Sequence, residues 1–201
     1  MRLAGFVNVQ VAITLKNSPD SRQQQLTAYF LRAGELRFAL IFLLLFFVMQ
    51  FCYSASRGSL AEHLVIDFAT VQPSVAAINL IAPDAGAKAK GNRIISPHGS
   101  LSVLNGCEGT ETVFLLLAAI IAFNAPWLQK LKGAALGTLV VYGLNQGRII
   151  ALFFAAQHDR KWFDLLHGII APTLIIVLSV LFFLWWTGEN ASGGNEQKSA
   201  V

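Results

Sequence analysis

The stretch FALIFLLLFFVMQFCYSAS, residues 38–56, decides the fold, because it is mostly apolar and contains no charged side chain. A helix needs roughly 20 such residues to cross about 30 Å of hydrocarbon. Three similar stretches follow at residues 112–129, 133–154 and 168–188, and only the second of these three carries a charge, on Arg148. The pattern therefore predicts a bundle of four main transmembrane helices.

The composition of the whole chain agrees with this prediction. Of its 201 residues 55% are hydrophobic and only 13% are charged, whereas soluble proteins carry about 25% charged residues. The 15 basic residues give a net charge of +4 but form no dense patch, which argues against a partner nucleic acid. Two cysteines are too few for a disulfide scaffold. These numbers exclude a soluble enzyme and a disordered chain.

Two further elements are predicted between the first two spans. Residues 68–83 are uncharged but short and contain Gln72, Pro73 and Asn79, which favours an interfacial or re-entrant helix over a further span. Residues 92–104 hold two short extended runs around a Pro- and Gly-containing turn, which is typical of a hairpin. The predicted fold is thus an all-α integral membrane bundle with an interfacial helix and a short extracytoplasmic hairpin.

Lysine and arginine residues near the ends of the spans predict the orientation, because cytoplasmic loops are enriched in them. Arg32 and Arg37 precede the first span, and Lys130 and Lys132 lie between the second and third. We therefore predict a cytoplasmic N-terminal segment (1–35), a membrane-embedded domain (36–186) and a disordered cytoplasmic tail (187–201). Basic residues in the outer loops at 57–105 and 155–166 count against this orientation.

This topology places three chemically distinctive residues at one membrane face. Cys107 precedes the second predicted span, Arg148 lies near the end of the third, and His167 begins the fourth. Each has an ordinary interpretation: a small apolar cysteine, an arginine that reaches the headgroups and a structural histidine. Together they supply a nucleophile, an electrophilic stabiliser and a general acid–base, the minimum set for acyl transfer.

Neighbouring polar residues are candidates for supporting roles. We expect Asn105 to cap the helix and Cys107 to occupy its first turn, where the helix dipole favours a thiolate, although Glu108 would oppose that effect. Glu111, four residues after Cys107, could share its helix face and pair with Arg148, or lie at the interface alone. Asn145 lies three residues before Arg148 and could donate a hydrogen bond in the site.

Three segments resemble the exosortase/archaeosortase family, in particular its compact exosortase H-type members. NGCEGTE at residues 105–111, followed by LLLAA at 115–119, is similar to the nucleophile segment of that family. NQGRIIALF at 145–153 resembles its arginine segment, and WFDLLH at 162–167 resembles its histidine segment. The glutamate after the cysteine and the glycine before the arginine are less common choices there. The resemblance covers residues 36–186.

The resemblance implies a membrane-embedded cysteine transpeptidase of the bacterial inner membrane, with Cys107, Arg148 and His167 as catalytic residues facing the extracytoplasmic side. Its partners would be the lipid bilayer and proteins that end in a short motif, a transmembrane helix and a basic tail. Small residues on the third span, such as Gly133, Gly137 and Gly143, permit a substrate helix or the protein's own helices to approach. We expect no cofactor and no metal, since the four histidines lack ligand spacing.

Two other interpretations remain open at this level. A non-enzymatic membrane assembly or transport component predicts that Cys107 tolerates replacement and that Arg148 faces lipid headgroups. A cysteine peptidase that hydrolyses its substrate shares every residue with a transpeptidase, because the acceptor leaves no motif in the sequence. A disulfide between Cys52 and Cys107 would remove the nucleophile.

Overall fold

The computed structural model describes the backbone of residues 19–104 and 106–199, and the side chains of residues 34–104 and 106–189. Residues 1–18 of the predicted N-terminal segment, and the predicted cap Asn105, lie outside the described residues. The chain divides into two compact units, residues 1–41 and 42–201. The first unit contains, within its described part, only the beginning of one long helix. The second unit contains the rest of this helix and all other described helices and strands.

The described chain is mainly helical, as predicted. Its helices are α1 (Pro19–Ala55), α2 (Leu60–Ile81), α3 (Thr110–Ala122), α4 (Trp127–His158) and α5 (residues 160–199). Four segments are long and apolar enough to cross a membrane, namely Gly34–Ala55, Leu60–Ile81, Trp127–His158 and Arg160–Glu189. The predicted all-α fold with four such helices is therefore confirmed, although the four helices are not the same four that the sequence predicts.

The predicted second span is shorter than expected. Its helix, α3, has 13 residues and so rises about 20 Å. Pro126 is the N-cap of α4 and has an extended backbone, and a proline disfavours helix in the residue before it. Lys130, predicted to lie in the connecting loop, instead lies in the first turn of α4, and its Nζ donates to the carbonyl of Ile121 at 2.7 Å. This bond satisfies one of the last carbonyls of α3.

The predicted short helix at residues 68–83 is part of α2, which has 22 residues. Within α2, Leu64–Val71 form a wide π-helical segment just before Pro73, whose missing N–H interrupts the regular ladder. The Ala69 carbonyl is bound from α4 instead, by the hydroxyl of Tyr142 at 2.9 Å and by Nε2 of Gln146 at 3.2 Å. These bonds attach the middle of α2 to α4.

The interfacial or re-entrant position expected for residues 68–83 stays a prediction, since α2 is also long and apolar enough to cross a membrane. Both of its halves contact the same small sheet. Tyr53, near the end of α1, is hydrogen-bonded to Glu108, just before α3, so the chain leaves and re-enters the bundle at one end. The segment between Tyr53 and Glu108 therefore begins and ends at the same level of the bundle.

The sheet that follows α2 has three antiparallel strands, β1 (Lys88–Lys90), β2 (Arg93–Ser96) and β3 (Gly99–Ser102). The predicted hairpin is confirmed as β2 and β3, in which Ile94 is opposite Leu101 on the buried face. Strand β1 was not predicted. The side-chain amide of Asn79 in α2 holds its start, since it both donates to the carbonyl of Ala87 and accepts from the Ala87 N–H, each at 2.9 Å.

Two apolar clusters form the described core. The first joins the sheet and α2 to the C-terminal half of α4 and includes Ile78, Ile94 and Phe153. The second joins α3, α4 and α5 and includes Leu116, Val141 and Trp186. Helix α5 starts after the N-cap Asp159 and continues to Ser199, so it includes most of the segment predicted as a disordered tail. The assignment of that segment as a cytoplasmic tail stays a prediction.

The small residues of α4 let the protein's own helices pack closely. A Cβ on Gly133 would lie 2.3 Å from Nε1 of the buried Trp186 in α5. We expect Gly133→Ala to lower the free energy of unfolding by about 1–3 kcal/mol through overpacking. Gly143 on the same helix has nothing within 4 Å, so Gly143→Ala should change it by less than about 1 kcal/mol. Equal stabilities of the two variants in detergent unfolding would contradict this packing.

Candidate active site

The segment that carries Cys107 is a loop and not the first turn of a helix. Helix α3 begins at Thr110, and its N-cap is Gly109, with φ +81°. Gly106 has φ +91°, and such left-handed backbone is readily adopted only by glycine. The prediction that Cys107 occupies the first helical turn was therefore wrong, because the helix begins only at Thr110.

Cys107 itself is half-buried beside the first apolar cluster. Its N–H donates to the carbonyl of Leu104 at 2.9 Å. Cys107 and Cys52 both have free thiols in the structure, so no disulfide blocks the candidate nucleophile. Cys52 is exposed on α1. Among the described residues, no group of three histidine, cysteine or acidic side chains could hold a metal ion.

Glu108, next to Cys107, is buried although it is a carboxylate, with 7% of its surface exposed. Its Oε1 accepts hydrogen bonds from the hydroxyl of Tyr53 at 3.1 Å and from Oγ1 of Thr110 at 3.2 Å. Its Oε2 is buried without a partner. The ring of Tyr53 is in turn held edge-on against Phe114 of α3 at 5.7 Å. Glu108 thus connects the nucleophile loop to α1 and α3.

Asn145 holds the same loop from the side of α4. It is almost fully buried, with 1% of its surface exposed, and both atoms of its amide lack a partner. A Cβ on Gly109 would lie 2.8 Å from Cγ of Asn145, so the glycine backbone packs directly on this side chain. The contact places the nucleophile loop one helical turn from Arg148, because residues three apart lie on one face of a helix.

The close approach of Gly109 to Asn145 gives a prediction with a matched control. Gly109→Ala adds both backbone strain, about 1–3 kcal/mol for a non-glycine residue with positive φ, and a clash with Asn145. Gly106→Ala adds similar strain, but nothing lies within 4 Å of its Cβ position. We expect Gly109→Ala to be the more destabilising by about 1–3 kcal/mol, measured by unfolding in detergent.

The double variant Gly109→Ala/Asn145→Ala tests the origin of that difference. It removes the side chain that the new Cβ would meet, so its stability should return to the level of Gly106→Ala. A double variant that remains as unstable as Gly109→Ala would show that the clash is not with Asn145.

Arg148 is half-buried on α4, ten residues before the end of that helix. Its Nε is buried without a hydrogen-bond partner. No ion pair to Arg148 occurs among the residues whose side chains are described. A guanidinium in this position is costly to bury unpaired, so its Nε–H is available to an acceptor that the described side chains do not supply.

His167 lies in a second π-helical segment, Leu166–Ile170, at the beginning of α5. Its ring stacks on Phe163, one turn earlier, with the centroids 5.6 Å apart and the planes nearly parallel. Its Nδ1 is buried and unpartnered. Single π-helical turns inside α-helices are frequent at functional sites. The stack with Phe163 fixes the orientation of the imidazole ring while one of its nitrogens stays unused.

The three predicted catalytic segments meet at one end of the bundle. Cys107, Leu166 beside His167, and Ile149 beside Arg148 all belong to the same apolar cluster or pack against it. An open groove of about 340 Å³ adjoins the cluster between α4 and α5, with Leu166 in its wall. The fold therefore gathers the three segments on separate elements, while the catalytic roles of their side chains stay predictions.

Glu111 does not lie where the predicted pair with Arg148 would require it. It is exposed on α3, and its Oε1 accepts a hydrogen bond from Nε2 of Gln50 in α1 at 3.3 Å. It forms no ion pair with Arg148 in the described chain. The predicted common face with Cys107 does not exist, because Cys107 precedes the helix that carries Glu111.

Sequence reasoning missed the contribution of α1 to this site. Gln50 and Tyr53 bind Glu111 and Glu108, respectively. The signal was present, since two polar residues three positions apart share a face of an otherwise apolar helix. It was overlooked because polar residues near the end of a span are also common at the membrane interface.

These observations define the class of protein as a helical integral membrane protein in which the cysteine, arginine and histidine segments share one apolar cluster. The family model described as Transmembrane exosortase (Exosortase_EpsH) matches residues 26–186. The chain belongs to this family. Neither the curated proteins nor the solved structures contain a significant match to the chain.

Proposed function

We propose that the chain is a membrane-embedded cysteine protease and transpeptidase that cleaves C-terminal sorting signals of exported proteins and transfers them to a surface acceptor. Membership of the exosortase family supports this general role. Its substrates would end in a short motif, a transmembrane helix and a basic tail. We place the enzyme in the bacterial inner membrane with its active site on the extracytoplasmic face, as the basic residues at the span ends predict.

The observation that carries the proposal is a pair of buried polar atoms without partners on two segments that share an apolar cluster with Cys107. Nε of Arg148 and Nδ1 of His167 are buried without partners on the two helices that pack beside Cys107. A buried polar group without a hydrogen bond costs about 1–3 kcal/mol, so such groups are rare in native proteins. Their presence on both the arginine and the histidine segment favours a site whose partners arrive with the substrate.

In the proposed mechanism the sulfur of Cys107 attacks the carbonyl carbon of the scissile peptide bond, and the thiol proton passes to His167. The guanidinium of Arg148 stabilises the negative charge that develops on the carbonyl oxygen. His167 then gives its proton to the leaving amine, which leaves a thioester on Cys107. An acceptor nucleophile next attacks the thioester carbonyl and loses its proton to His167. The carbon–sulfur bond then breaks, and His167 returns the proton to the sulfur, which restores the free thiol. Water as the acceptor gives hydrolysis, and a surface group gives transfer.

Mass spectrometry of a substrate co-expressed with the enzyme tests this function. The wild-type chain should shorten the substrate at its motif, and the mass of the new carboxyl end should equal the cleaved acid or the acid joined to an acceptor. Full-length substrate should accumulate with Cys107→Ser. Processing that is unchanged in this variant would remove Cys107 from the mechanism and favour the non-enzymatic assembly or transport role.

A further inference from the structure

Glu108 has no part in the proposed mechanism, yet the structure keeps its carboxylate buried beside the nucleophile. Only 7% of its surface is exposed, and burying a charged group is costly unless it is hydrogen-bonded. The two donors to its Oε1 come from different elements, since the hydroxyl of Tyr53 belongs to α1 and that of Thr110 to α3. This carboxylate is thus the point at which two helices are joined to the loop.

Few other hydrogen bonds hold the nucleophile loop in a single conformation. Gly106 and Gly109 flank the pair Cys107–Glu108, and both have left-handed φ angles. Glycine has the greatest backbone freedom of any residue. On the near side, the Cys107 N–H is bonded to Leu104. On the far side, Gly109 packs on Asn145, and its carbonyl accepts from the N–H of Val113 at 3.2 Å. Between the two glycines, the side-chain bonds of Glu108 add a polar restraint to the packing of Cys107 on the first apolar cluster.

The partner of Glu108 in α1 is itself well fixed. The ring of Tyr53 packs edge-on against Phe114, so its hydroxyl is presented in a defined direction. A restraint that starts from a packed aromatic ring limits the motion of the residue it binds. Because Cys107 is covalently adjacent to Glu108, the same restraint limits where the thiol can lie.

We propose that Glu108 is a positioning residue, which acts through its hydrogen bonds to Tyr53 and Thr110 to hold the Cys107 thiol in its reactive place. The catalytic meaning of this role rests on the proposed function. The structural part does not, because the accessibility of the Cys107 thiol can be measured without any substrate.

The test uses the full chain in a Cys52→Ser background, which leaves Cys107 as its one thiol, since the sequence has two cysteines. The rate of alkylation by N-ethylmaleimide in detergent is measured for Glu108→Ala, Glu108→Gln and Tyr53→Phe, together with substrate processing. Loss of the restraint should speed alkylation at least about fivefold and slow processing about tenfold in Glu108→Ala, since tenfold corresponds to the loss of about one hydrogen bond.

Three variants separate positioning from charge and from general destabilisation. Glu108→Gln should behave within about twofold of the parent chain, because its amide oxygen still accepts from Tyr53. Tyr53→Phe keeps the ring and should reproduce the direction of the Glu108→Ala effect, even where the alanine variant fails to fold. Tyr142→Phe, the matched control, loses a hydroxyl bonded to Ala69 and should leave alkylation unchanged.

Two results would overturn the proposal. One is alkylation of Cys107 at the parent rate in both Glu108→Ala and Tyr53→Phe. The other is a Glu108→Gln variant as impaired as Glu108→Ala, which would assign the effect to charge. If the expected alkylation pattern is found while the parent chain processes no substrate, the positioning role stands and the proposed function fails.

Discussion

Cys107→Ala is expected to abolish substrate processing, with a loss of about 10³-fold or more in rate, because the proposed thioester forms on the Cys107 sulfur. The loss should appear in turnover and not in expression or stability. Cys107 is half-buried in a loop, and replacing its thiol by a hydrogen atom removes little packing. The measurement is the initial rate of formation of the shortened substrate in detergent or in proteoliposomes, with the unfolding midpoint determined in parallel.

The chain provides a matched control for the loss of a thiol. Cys52 is exposed on α1, and Cys52→Ala should leave the rate within about twofold of the parent, as expected for a surface substitution away from the site. An equal loss of rate in the two variants would point to a general effect on the membrane domain. Processing by Cys107→Ala at the parental rate would exclude the thioester mechanism altogether.

A second measurement on the same protein identifies the intermediate. Wild-type enzyme mixed with substrate and quenched in acid should carry the mass of the N-terminal cleavage product on the peptide that contains Cys107. Hydroxylamine should release that mass, since it attacks thioesters. A modification found on any residue other than Cys107 would redirect the mechanism to that residue.

The general architecture could be predicted from sequence because the bilayer imposes simple rules. Uncharged stretches of about 20 residues are visible in a single sequence, and the turn at Pro97 with alternating apolar residues predicted β2 and β3. The three polar segments lie on separate elements that share one apolar cluster, while the convergence of their side chains stays a prediction. Each of these predictions depends on local composition, which the sequence displays directly.

The local geometry of the site could not be predicted in the same way. The start of α3 at Thr110 depends on the left-handed backbone of Gly109, which packs closely on Asn145, 36 positions away. Once the helix starts there, the pairing expected for Glu111 is lost. The burial of Glu108 similarly depends on Tyr53 of another helix. Such contacts between distant residues leave no periodic signal in one sequence.

The length of α2 could not be predicted from the sequence either. The sequence predicted a short helix at residues 68–83, because Asp67 and the charged residues before it interrupt the apolar pattern. In the structure the helix starts at Leu60, where Ser59 accepts from the N–H of Ala61 as its N-cap. Asp67 is accommodated by an interaction with His63, one turn earlier, at 3.1 Å.

Arg148→Lys should lower kcat for substrate processing by about 10²–10³-fold, equivalent to about 3–4 kcal/mol, the usual cost of losing one donor to a developing oxyanion. Lysine keeps the positive charge but has no planar set of N–H donors and no N–H group at the position of Nε. KM should change much less than kcat, because a donor to the oxyanion acts mainly in the transition state.

Two comparisons make this result specific to the site. Arg160→Lys alters an exposed arginine that is paired with Asp164 at 3.7 Å, and it should leave kcat within about twofold, since exposed pairs contribute little. The alkylation rate of Cys107 should be unchanged in Arg148→Lys, which distinguishes loss of an oxyanion donor from displacement of the nucleophile loop. If Arg148→Lys is fully active, Arg148 serves only to reach the lipid headgroups. The donor that stabilises the oxyanion must then be sought among the other unpartnered polar atoms. One of these groups is the amide of the buried Asn145, one helical turn away.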